Sequence, residues 1–428
     1  MSRHKTLLHG LSAALLGALV SASALGAPEG LDALKARGKA AADPTEAMAA
    51  ARALRRAGLL ADALTTLQKA LGKARGEETV AAVRLELART YLDQRQPKRA
   101  LNQCDQIHKL APRDEQLCIA EASLYQRRGS IALPAAEAVL AATPGHYDGL
   151  VAKGRALSQL GKPEEAEAAL RQALKSDATR TSAPRYLAEL LIAQGKSKDA
   201  TALLTDARRV DGDDPDVLVL YGEVLPPGAE SKGALEHALS VRPSDARAKA
   251  RLGQVLLALG EPDRAEKLLD DAVAAEPRQA EWFAALGEVE IARKQPDLAL
   301  RAARSALAIV GNLGPAKLAE AKALAMKGDI DLAIESFEAA YGFSRVDPSA
   351  PIAASRACLE GGRLTTAKAF ADRATEDFPK SAAAWEILGD VHVALKEPAE
   401  AKKAYQAALA GEGPVDKDAV RRKLGALK

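Results

Sequence analysis

Two sets of alanines recur with the same interval along the C-terminal half of this 428-residue chain. One set begins at Ala265, the other begins seven residues later at Ala272, and both repeat every 34 residues. Their members are Ala265, Ala299, Ala333, Ala367 and Ala401, and Ala272, Ala306, Ala340, Ala374 and Ala408. Gly253, Gly287 and Gly389 stand twelve residues before the first alanine in three of these windows. A strict period of this length indicates a repeat architecture, which limits the fold more than any other feature of the chain.

The period fits one helical hairpin per repeat. Two helices of roughly 12 to 14 residues and two short turns fill about 34 residues. Small residues are needed where the two helices come closest, because protein interiors are densely packed. Gly161 and Gly260 suit a left-handed helix end, and Pro163 and Pro262 follow in the first turn of the next helix, where a missing N–H is tolerated. The sequence therefore predicts an all-α solenoid.

The window that begins at Ala382 carries the fullest repeat pattern. Its characteristic residues are Trp385, Leu388, Gly389, Ala401, Tyr405 and Ala408. In these residues the window resembles the tetratricopeptide repeat (TPR) family, which has W, L, G, A, F/Y and A at the same positions. The resemblance implies a right-handed superhelical solenoid of about eleven helical hairpins.

The repeat pattern divides the chain into five segments. They are a signal peptide (1–26), an N-terminal lead-in segment (27–43), an array of drifted repeats (44–245), an array of five in-register repeats (246–415) and a C-terminal capping helix (416–428). Two units within the drifted array, 115–146 and 215–245, are irregular. The polar last segment is expected to cover the exposed end of the solenoid, as repeat arrays require.

The N-terminus has the layout of a secretory signal peptide. Arg3 and Lys5 precede an apolar stretch over residues 7–20, and small residues follow, with cleavage expected after Ala24 or Gly26. The apolar stretch is shorter than the roughly 20 residues that a permanent membrane anchor needs. We therefore expect an exported protein, periplasmic or outer-membrane associated in a Gram-negative bacterium, with no transmembrane segment after cleavage. The alternative is an uncleaved amphipathic start.

Charge and cysteine content add two expectations. Removal of residues 1–26 lowers the formal charge from +3 to +1, so nothing electrostatic favours nucleic acid. Cys104 lies on the second helix of its repeat and Cys118 on the first helix of the next, so a disulfide can join them. The alternative is that both are small buried hydrophobes, as we expect for Cys358.

The sequence contains no pattern typical of catalysis or of metal binding. Its histidines are scattered, and His392 is interpreted as a packed core residue. An acidic run from Asp211 to Asp216 lacks the central glycine and distal glutamate of a calcium loop, and acidic residues before a helix favour capping. No phosphate loop or nucleophile elbow is present. We predict a protein that is not an enzyme and that binds neither a cofactor nor a metal.

The resemblance implies a binding groove lined by the first helix of each repeat. The ninth positions of these helices are Arg52, Arg89, Arg155, Glu189, Gln254, Glu288, Lys322, Arg356 and Asp390. Apolar residues at the twelfth positions are Leu92, Ile192, Leu257, Ile291, Leu359 and Val393. Such a groove is basic near the N-terminus and mixed later, and it suits an extended or helical segment of a partner protein. The alternative is a solvated helix face whose charges bind nothing specific.

These observations predict a protein–protein interaction scaffold of the bacterial cell envelope whose partner is another envelope protein. By resemblance, such proteins help to assemble outer-membrane, pilus or polysaccharide export machines. Two alternatives stay open, a glycan-binding or enzyme-accessory protein and a self-assembling homo-oligomer. A glycan site would need exposed aromatic rings, whereas Trp282 and Trp385 occupy positions typical of packing.

Overall fold

The computed structural model describes residues 30–108 and 110–427. These residues form 24 α-helices and no β-strand, apart from one isolated backbone bridge between Ser381 and Glu412. The all-α prediction is therefore confirmed for the described part of the chain. The predicted signal peptide, residues 1–26, lies outside the described residues, as does the start of the lead-in segment.

The helices follow one another with short turns between them. In the N-terminal half they are α1 (Leu31–Ala40), α2 (Pro44–Arg56), α3 (Leu60–Lys73), α4 (Glu77–Asp93), α5 (Pro97–Ile107), α6 (Pro112–Tyr125), α7 (Gly129–Ala142), α8 (Tyr147–Gln159), α9 (Pro163–Ser176), α10 (Ser182–Ala193), α11 (Ser197–Val210), α12 (Pro215–Val224) and α13 (Ala229–Val241). In the C-terminal half they are α14 (Ala246–Ala258), α15 (Pro262–Ala275), α16 (Ala280–Ala292), α17 (Pro296–Ile309), α18 (Gly314–Lys327), α19 (Ile330–Phe343), α20 (Ser349–Glu360), α21 (Leu364–Asp377), α22 (Ala382–Ala394), α23 (Pro398–Ala410) and α24 (Lys417–Gly425).

Consecutive helices pack in pairs, as the period predicts. The observed hairpins are α2–α3, α4–α5, α6–α7, α8–α9, α14–α15, α16–α17, α18–α19, α20–α21 and α22–α23. First helices of successive hairpins also contact each other, for example α16 with α18 and α20 with α22. The irregular window 115–146 still forms a hairpin, because α6 packs against α7. The expected right-handed twist and the count of about eleven hairpins stay predictions.

The chain divides into two compact units. The first extends to Leu190 and includes residues 210–213 and 240–243, and the second comprises residues 191–209, 214–239 and those from Ser244 onward. Leu54, Leu67 and other apolar residues form the start of the first unit's core. Phe337 and Phe370 lie in the largest cluster described for the second. Each unit therefore has apolar packing of its own.

A residue with a left-handed backbone conformation (positive φ) ends the first helix of most hairpins. Glycines with positive φ occupy this place at Gly58, Gly161, Gly195, Gly260, Gly328 and Gly362, which confirms the expected helix ends. Four hairpins lack the glycine, and there Arg95, Arg127, Lys294 and Lys396 adopt φ of 57° to 63°. A left-handed conformation costs a residue with a side chain roughly 1–2 kcal/mol. The next backbone N–H closes the helix, as Gln295 does by donating to the Glu290 carbonyl oxygen at 2.8 Å.

The glycine of the first helix lies against a large side chain of the second helix. A Cβ added at Gly253 would lie 2.8 Å from Leu269 Cγ, and one added at Gly154 would lie 2.6 Å from Leu170 Cγ. Both contacts join residues 16 positions apart. In the short unit 215–245 the same contact joins Gly222 and Leu235, 13 positions apart. The contact is kept although the unit is three residues short, because α12 has 10 residues where α14 has 13.

A disulfide joins α5 to α6 in the first unit. Cys104 Sγ lies 2.07 Å from Cys118 Sγ, and their Cα atoms are 5.5 Å apart. This connects the second helix of one hairpin to the first helix of the next, which is the neighbour relation that the repeat implies. Cys358 is a buried free thiol, and burial raises its pKa.

The final helix α24 covers the end of the second unit. Asp416 caps it by accepting hydrogen bonds from the backbone N–H groups of Asp418 and Ala419. Val420 is fully buried in a cluster with Tyr405 of α23. The preceding loop is fixed to the start of α22, because Ala382 N donates to the Glu412 carbonyl oxygen at 2.9 Å.

We expect Gly253→Val to destabilise the protein by about 2 kcal/mol, because the new side chain must displace Leu269 in a packed hairpin. Urea unfolding followed by circular dichroism measures the change. The matched control is Gly233→Val in α13, where an added Cβ meets nothing within 4 Å. If both variants unfold at the same urea concentration, the close contact does not limit residue size.

Candidate functional site

Ninth positions of successive first helices lie next to each other in the second unit. Lys322 Nζ of α18 contacts Glu288 Oε1 and Oε2 of α16 at 2.9 and 2.8 Å. The two residues are 34 positions apart, and each side chain is about 29% exposed. This ion pair brings the ninth positions of two adjacent repeats into direct contact.

A row of apolar side chains accompanies these charges. Leu257, Ile291 and Leu359, at the twelfth positions, are half-buried, and all three pack against core clusters. Val393 is 46% exposed. We call the two rows of the second unit the first-helix face. Its members are Gln254, Glu288, Lys322, Arg356 and Asp390, with Leu257, Ile291, Leu359 and Val393.

The C-terminal end of this face is an ion-paired cluster. Asp390 Oδ1 accepts a hydrogen bond from Tyr405 Oη at 2.7 Å, and its Oδ2 lies 2.8 Å from Lys423 Nζ. Lys423, on α24, also contacts Glu386 Oε1 at 2.8 Å. Burial lowers the pKa of Lys423, but its hydrogen bonds to Asp390 and Glu386 outweigh burial and raise it. Burial and the bond to Asp390 raise the pKa of Tyr405 well above its ordinary value.

Two other ninth positions complete the face. Gln254 Oε1 accepts a hydrogen bond from Arg251 Nη1 at 3.2 Å within α14. Arg356 is exposed on α20, and it forms no ion pair with any residue of 30–108 or 110–427. The face therefore contains one cation that is not neutralised by a direct contact.

In the first unit, three arginines share one buried carboxylate. Glu86, only 2% exposed, binds Arg52 Nη2 at 2.9 Å, Arg55 Nη1 at 3.0 Å and Arg89 Nη1 at 3.0 Å. Burial of the carboxylate raises the pKa of Glu86, but the three arginines, led by Arg89, outweigh burial and lower it. One buried carboxylate thus holds three guanidinium groups from α2 and α4.

Arg89 is the centre of this network. Its Nη2 lies 2.6 Å from Glu121 Oε1 on α6 and 3.2 Å from Asp148 Oδ2 on α8. Burial lowers the pKa of Arg89, but Glu121 and Glu86 raise it well above its ordinary value. Two of the three arginines expected to make the N-terminal groove basic, Arg52 and Arg89, are therefore paired with carboxylates. Nothing in the repeat pattern singled out Glu86, Glu121 or Asp148, although Glu86 follows Arg52 by 34 residues.

The remaining predicted groove residues are spread over α4, α8 and α10. The Arg155 guanidinium carbon lies 4.3 Å from the ring centroid of Tyr186, a cation–π contact. Glu189, Leu92 and Ile192 are half-buried. Arg155 is thus engaged by an aromatic ring, whereas Arg52 is the most exposed of the three arginines that bind Glu86, with 60% of its side chain accessible.

Other residues singled out from the sequence have structural contacts. His392 is buried, and its Nδ1 lies 2.7 Å from Glu397 Oε2. Trp385 packs beside the core and donates from Nε1 to the Pro379 carbonyl oxygen at 2.8 Å. Asp214 caps α12 by accepting from the backbone N–H groups of Asp216 and Val217. Within the described residues, no group of three or more His, Cys, Asp or Glu side chains could hold a metal ion.

The length and hydropathy of the helices bear on whether one of them could span a membrane. Over residues 30–108 and 110–427, none of the helices is both long enough and apolar enough to cross a membrane.

Family models identify the repeat. Models of the tetratricopeptide repeat match residues 119–183, 161–224 and 229–289, and a model of a tetratricopeptide repeat-like domain matches residues 312–428. Together these matches span more than half of the chain. The chain belongs to the tetratricopeptide repeat family.

Solved structures give weaker likenesses, and no curated protein sequence matches the chain. Yeast Tom70 is 13% identical with a TM-score of 0.44, over 93% of this chain and 95% of Tom70. A tetratricopeptide repeat protein from Parabacteroides merdae is 16% identical with a TM-score of 0.39, over 65% and 97%. YrrB, a TPR protein with an unusual peptide-binding site, is 19% identical with a TM-score of 0.35, over 42% and 95%. These TM-scores carry no argument about function.

In this tetratricopeptide repeat protein we expect Glu86→Gln to destabilise the first unit by about 3 kcal/mol, because it leaves three arginines without their shared carboxylate. The loss of unfolding free energy is largest above pH 4.5, the ordinary pKa of a glutamate. It shrinks as the pH falls through the lowered pKa of Glu86, where the wild-type carboxylate itself becomes protonated. Urea unfolding at several pH values measures it.

The control for this prediction is Glu137→Gln, which removes a half-exposed carboxylate paired with Lys153 at 3.1 Å. An exposed pair contributes only about 0–1 kcal/mol. A destabilisation by Glu86→Gln that is equally small at every pH would show that the network does not hold the helices together.

Proposed function

We propose that this protein is a non-enzymatic scaffold that binds a segment of another protein along its first-helix face. As a class, tetratricopeptide repeats are interaction modules without catalytic activity. The observation that carries the proposal is the alignment of Glu288 with Lys322, because it places equivalent side chains of successive repeats in a row. Half-buried apolar residues run beside that row.

Such a surface fits a long, thin ligand. Apolar side chains that keep one side in the core and expose the other can contact a partner without first being ordered, so little entropy is lost on binding. The adjacent charges then select the orientation of the segment. An extended strand or an amphipathic helix offers the matching series of side chains.

We further propose that the protein acts in the bacterial cell envelope, within an outer-membrane assembly, pilus or polysaccharide export machine. The signal-peptide pattern of residues 1–26 supports export. The Cys104–Cys118 disulfide supports it independently, because structural disulfides persist in oxidising compartments and are rare in the cytosol.

Export predicts two properties of the protein isolated from its native cells. Its N-terminus should be Leu25 or Ala27, as determined by N-terminal sequencing of the periplasmic fraction. After denaturation it should take up one alkyl group at Cys358, and three after reduction, as measured by intact-protein mass spectrometry. Recovery of full-length protein in the cytoplasm with three reactive thiols would contradict export.

The binding surface is tested with Val393→Glu, which places a charge in the apolar row. The chain without residues 1–26 serves as bait in envelope extract, and bound proteins are quantified by mass spectrometry. We expect this variant to lose at least about tenfold of the captured partner, because a charge in an apolar contact costs more than 1.4 kcal/mol. Circular dichroism verifies that the variant folds.

The matched control is Leu332→Glu on α19, a second helix, where the leucine is 53% exposed. It introduces the same charge on a similarly exposed apolar residue away from the first-helix face. A partner that is retained by Val393→Glu and lost by Leu332→Glu would indicate that the second helices form the binding surface. Failure of both the wild type and the control to capture any protein would contradict the scaffold function.

A further inference from the structure

The repeat period places a carboxylate, Asp390, at the position equivalent to Arg356 in the next repeat, but the two residues form no ion pair. Glu288 and Lys322 are ninth-position residues 34 positions apart, and they form an ion pair at 2.8 Å. Arg356 and Asp390 have the same relation on α20 and α22, and they carry opposite charges. No ion pair between them is formed. Something other than sequence spacing therefore keeps this pair apart.

Asp390 is bound instead by residues of α23 and α24. Both carboxylate oxygens of Asp390 are occupied, one by the Tyr405 hydroxyl at 2.7 Å and the other by Lys423 Nζ at 2.8 Å. Lys423 is about 37% exposed and is held in place by Glu386 as well. Because Val420 anchors α24 in the apolar cluster of α23, the position of Lys423 is fixed by the fold.

Several apolar residues occupy the helix of Arg356 and the neighbouring first helices. Ile352 and Leu359 are half-buried on the same helix, and both pack against the core of the second unit. Met326 at the end of α18 is 41% exposed, and Val393 on α22 is 46% exposed. On the other side, Lys322 is already neutralised by both oxygens of Glu288. Arg356 is thus an exposed cation without an ion-pair partner, on a helix that also presents half-buried apolar residues.

We propose that α24 keeps Arg356 available for a carboxylate of the partner, by binding Asp390 through Lys423. The occupant of the face around Arg356 is an acidic amphipathic segment, whose carboxylate pairs with Arg356 while its apolar side chains contact Met326, Leu359 and Val393. Guanidinium and carboxylate groups form two parallel hydrogen bonds, which favours this pairing over a neutral ligand. This inference rests on the proposed function, since it specifies the chemistry of the bound segment.

Lys423 is a positioning residue in this scheme. Glu386 and Asp390 together exceed Lys423 by one negative charge, so a freed Asp390 would turn to the nearest cation. Replacement of Lys423 by methionine is expected to release Asp390 to Arg356, in the geometry that Glu288 and Lys322 already show. The internal pair would then compete with the partner. Replacing Asp390 by asparagine in the Lys423→Met variant should make Arg356 available to the partner again.

The probe is a set of three fluorescein-labelled synthetic peptides that are amphipathic helices. Three first helices packed about 10 Å apart span roughly 20 Å, which a helix of about 14 residues covers. One peptide combines leucine with glutamate, the second replaces glutamate by glutamine, and the third replaces it by lysine. Fluorescence anisotropy with the chain lacking residues 1–26 gives the dissociation constants.

We expect the acidic peptide to bind about tenfold more tightly than the glutamine peptide, which corresponds to one good ion pair, and the lysine peptide to bind weakest. Arg356→Gln should reduce the preference for the acidic peptide to less than about twofold. Arg301→Gln, on the exposed side of the second helix α17, should leave the preference unchanged. No preference in the wild type, or an unchanged preference in Arg356→Gln, overturns the recognition of a carboxylate.

The role of α24 is tested separately. Lys423→Met should weaken binding of the acidic peptide to the level seen with Arg356→Gln. Lys423→Met/Asp390→Asn should return the dissociation constant to within about twofold of the wild-type value. Thermal unfolding of each variant identifies one that has lost α24, and the double variant supplies the folded comparison. If Lys423→Met binds as the wild type does, Lys423 does not hold Asp390 away. If Val393→Glu loses the envelope partner while the acidic preference is absent, this inference fails and the proposed function stands.

Discussion

The close approach of the two helices of each hairpin is the constraint on which the rest of the structure depends. Gly253 lies against Leu269 and Gly154 against Leu170, with no space for a further carbon atom. Because the contact has the same spacing in these hairpins, each repeat presents its first helix to the next one in the same register. The ion pair between Glu288 and Lys322 is a consequence of that register.

The same register produces two opposite results for arginine. In the first unit, Arg89 meets one carboxylate of its own helix and two from neighbouring first helices, and it becomes a largely buried structural cation. In the second unit, the carboxylate that corresponds to Arg356 is bound by Lys423 of the terminal helix. A helix that ends the array therefore has an electrostatic effect on the repeat before it, in addition to covering apolar surface. The difference between a structural and an available charge lies in the neighbours, not in the residue type.

Much of the fold could be predicted because the repeat is local. Gly260 and Pro262 indicate a turn by their own backbone preferences, and the structure has a left-handed glycine there. Lys294 and Lys396 have no such preference, yet packing forces the same conformation on them. In the short unit, Gly222 still contacts Leu235, because the missing residues shorten the helix α12 and leave the contact in place. That compensation is invisible in the spacing of alanines.

The sequence by itself determined the helical hairpin, its period and the side chains that occupy the first-helix face, because these follow from the order of small, apolar and turn-forming residues along one chain. Only the tertiary structure decided which charges on that face are neutralised. Glu86, Glu121 and Lys423 come from helices adjacent to the arginines or aspartate that they bind. The energy of an ion pair depends on distances of a few ångströms and on burial, and a one-dimensional spacing specifies neither.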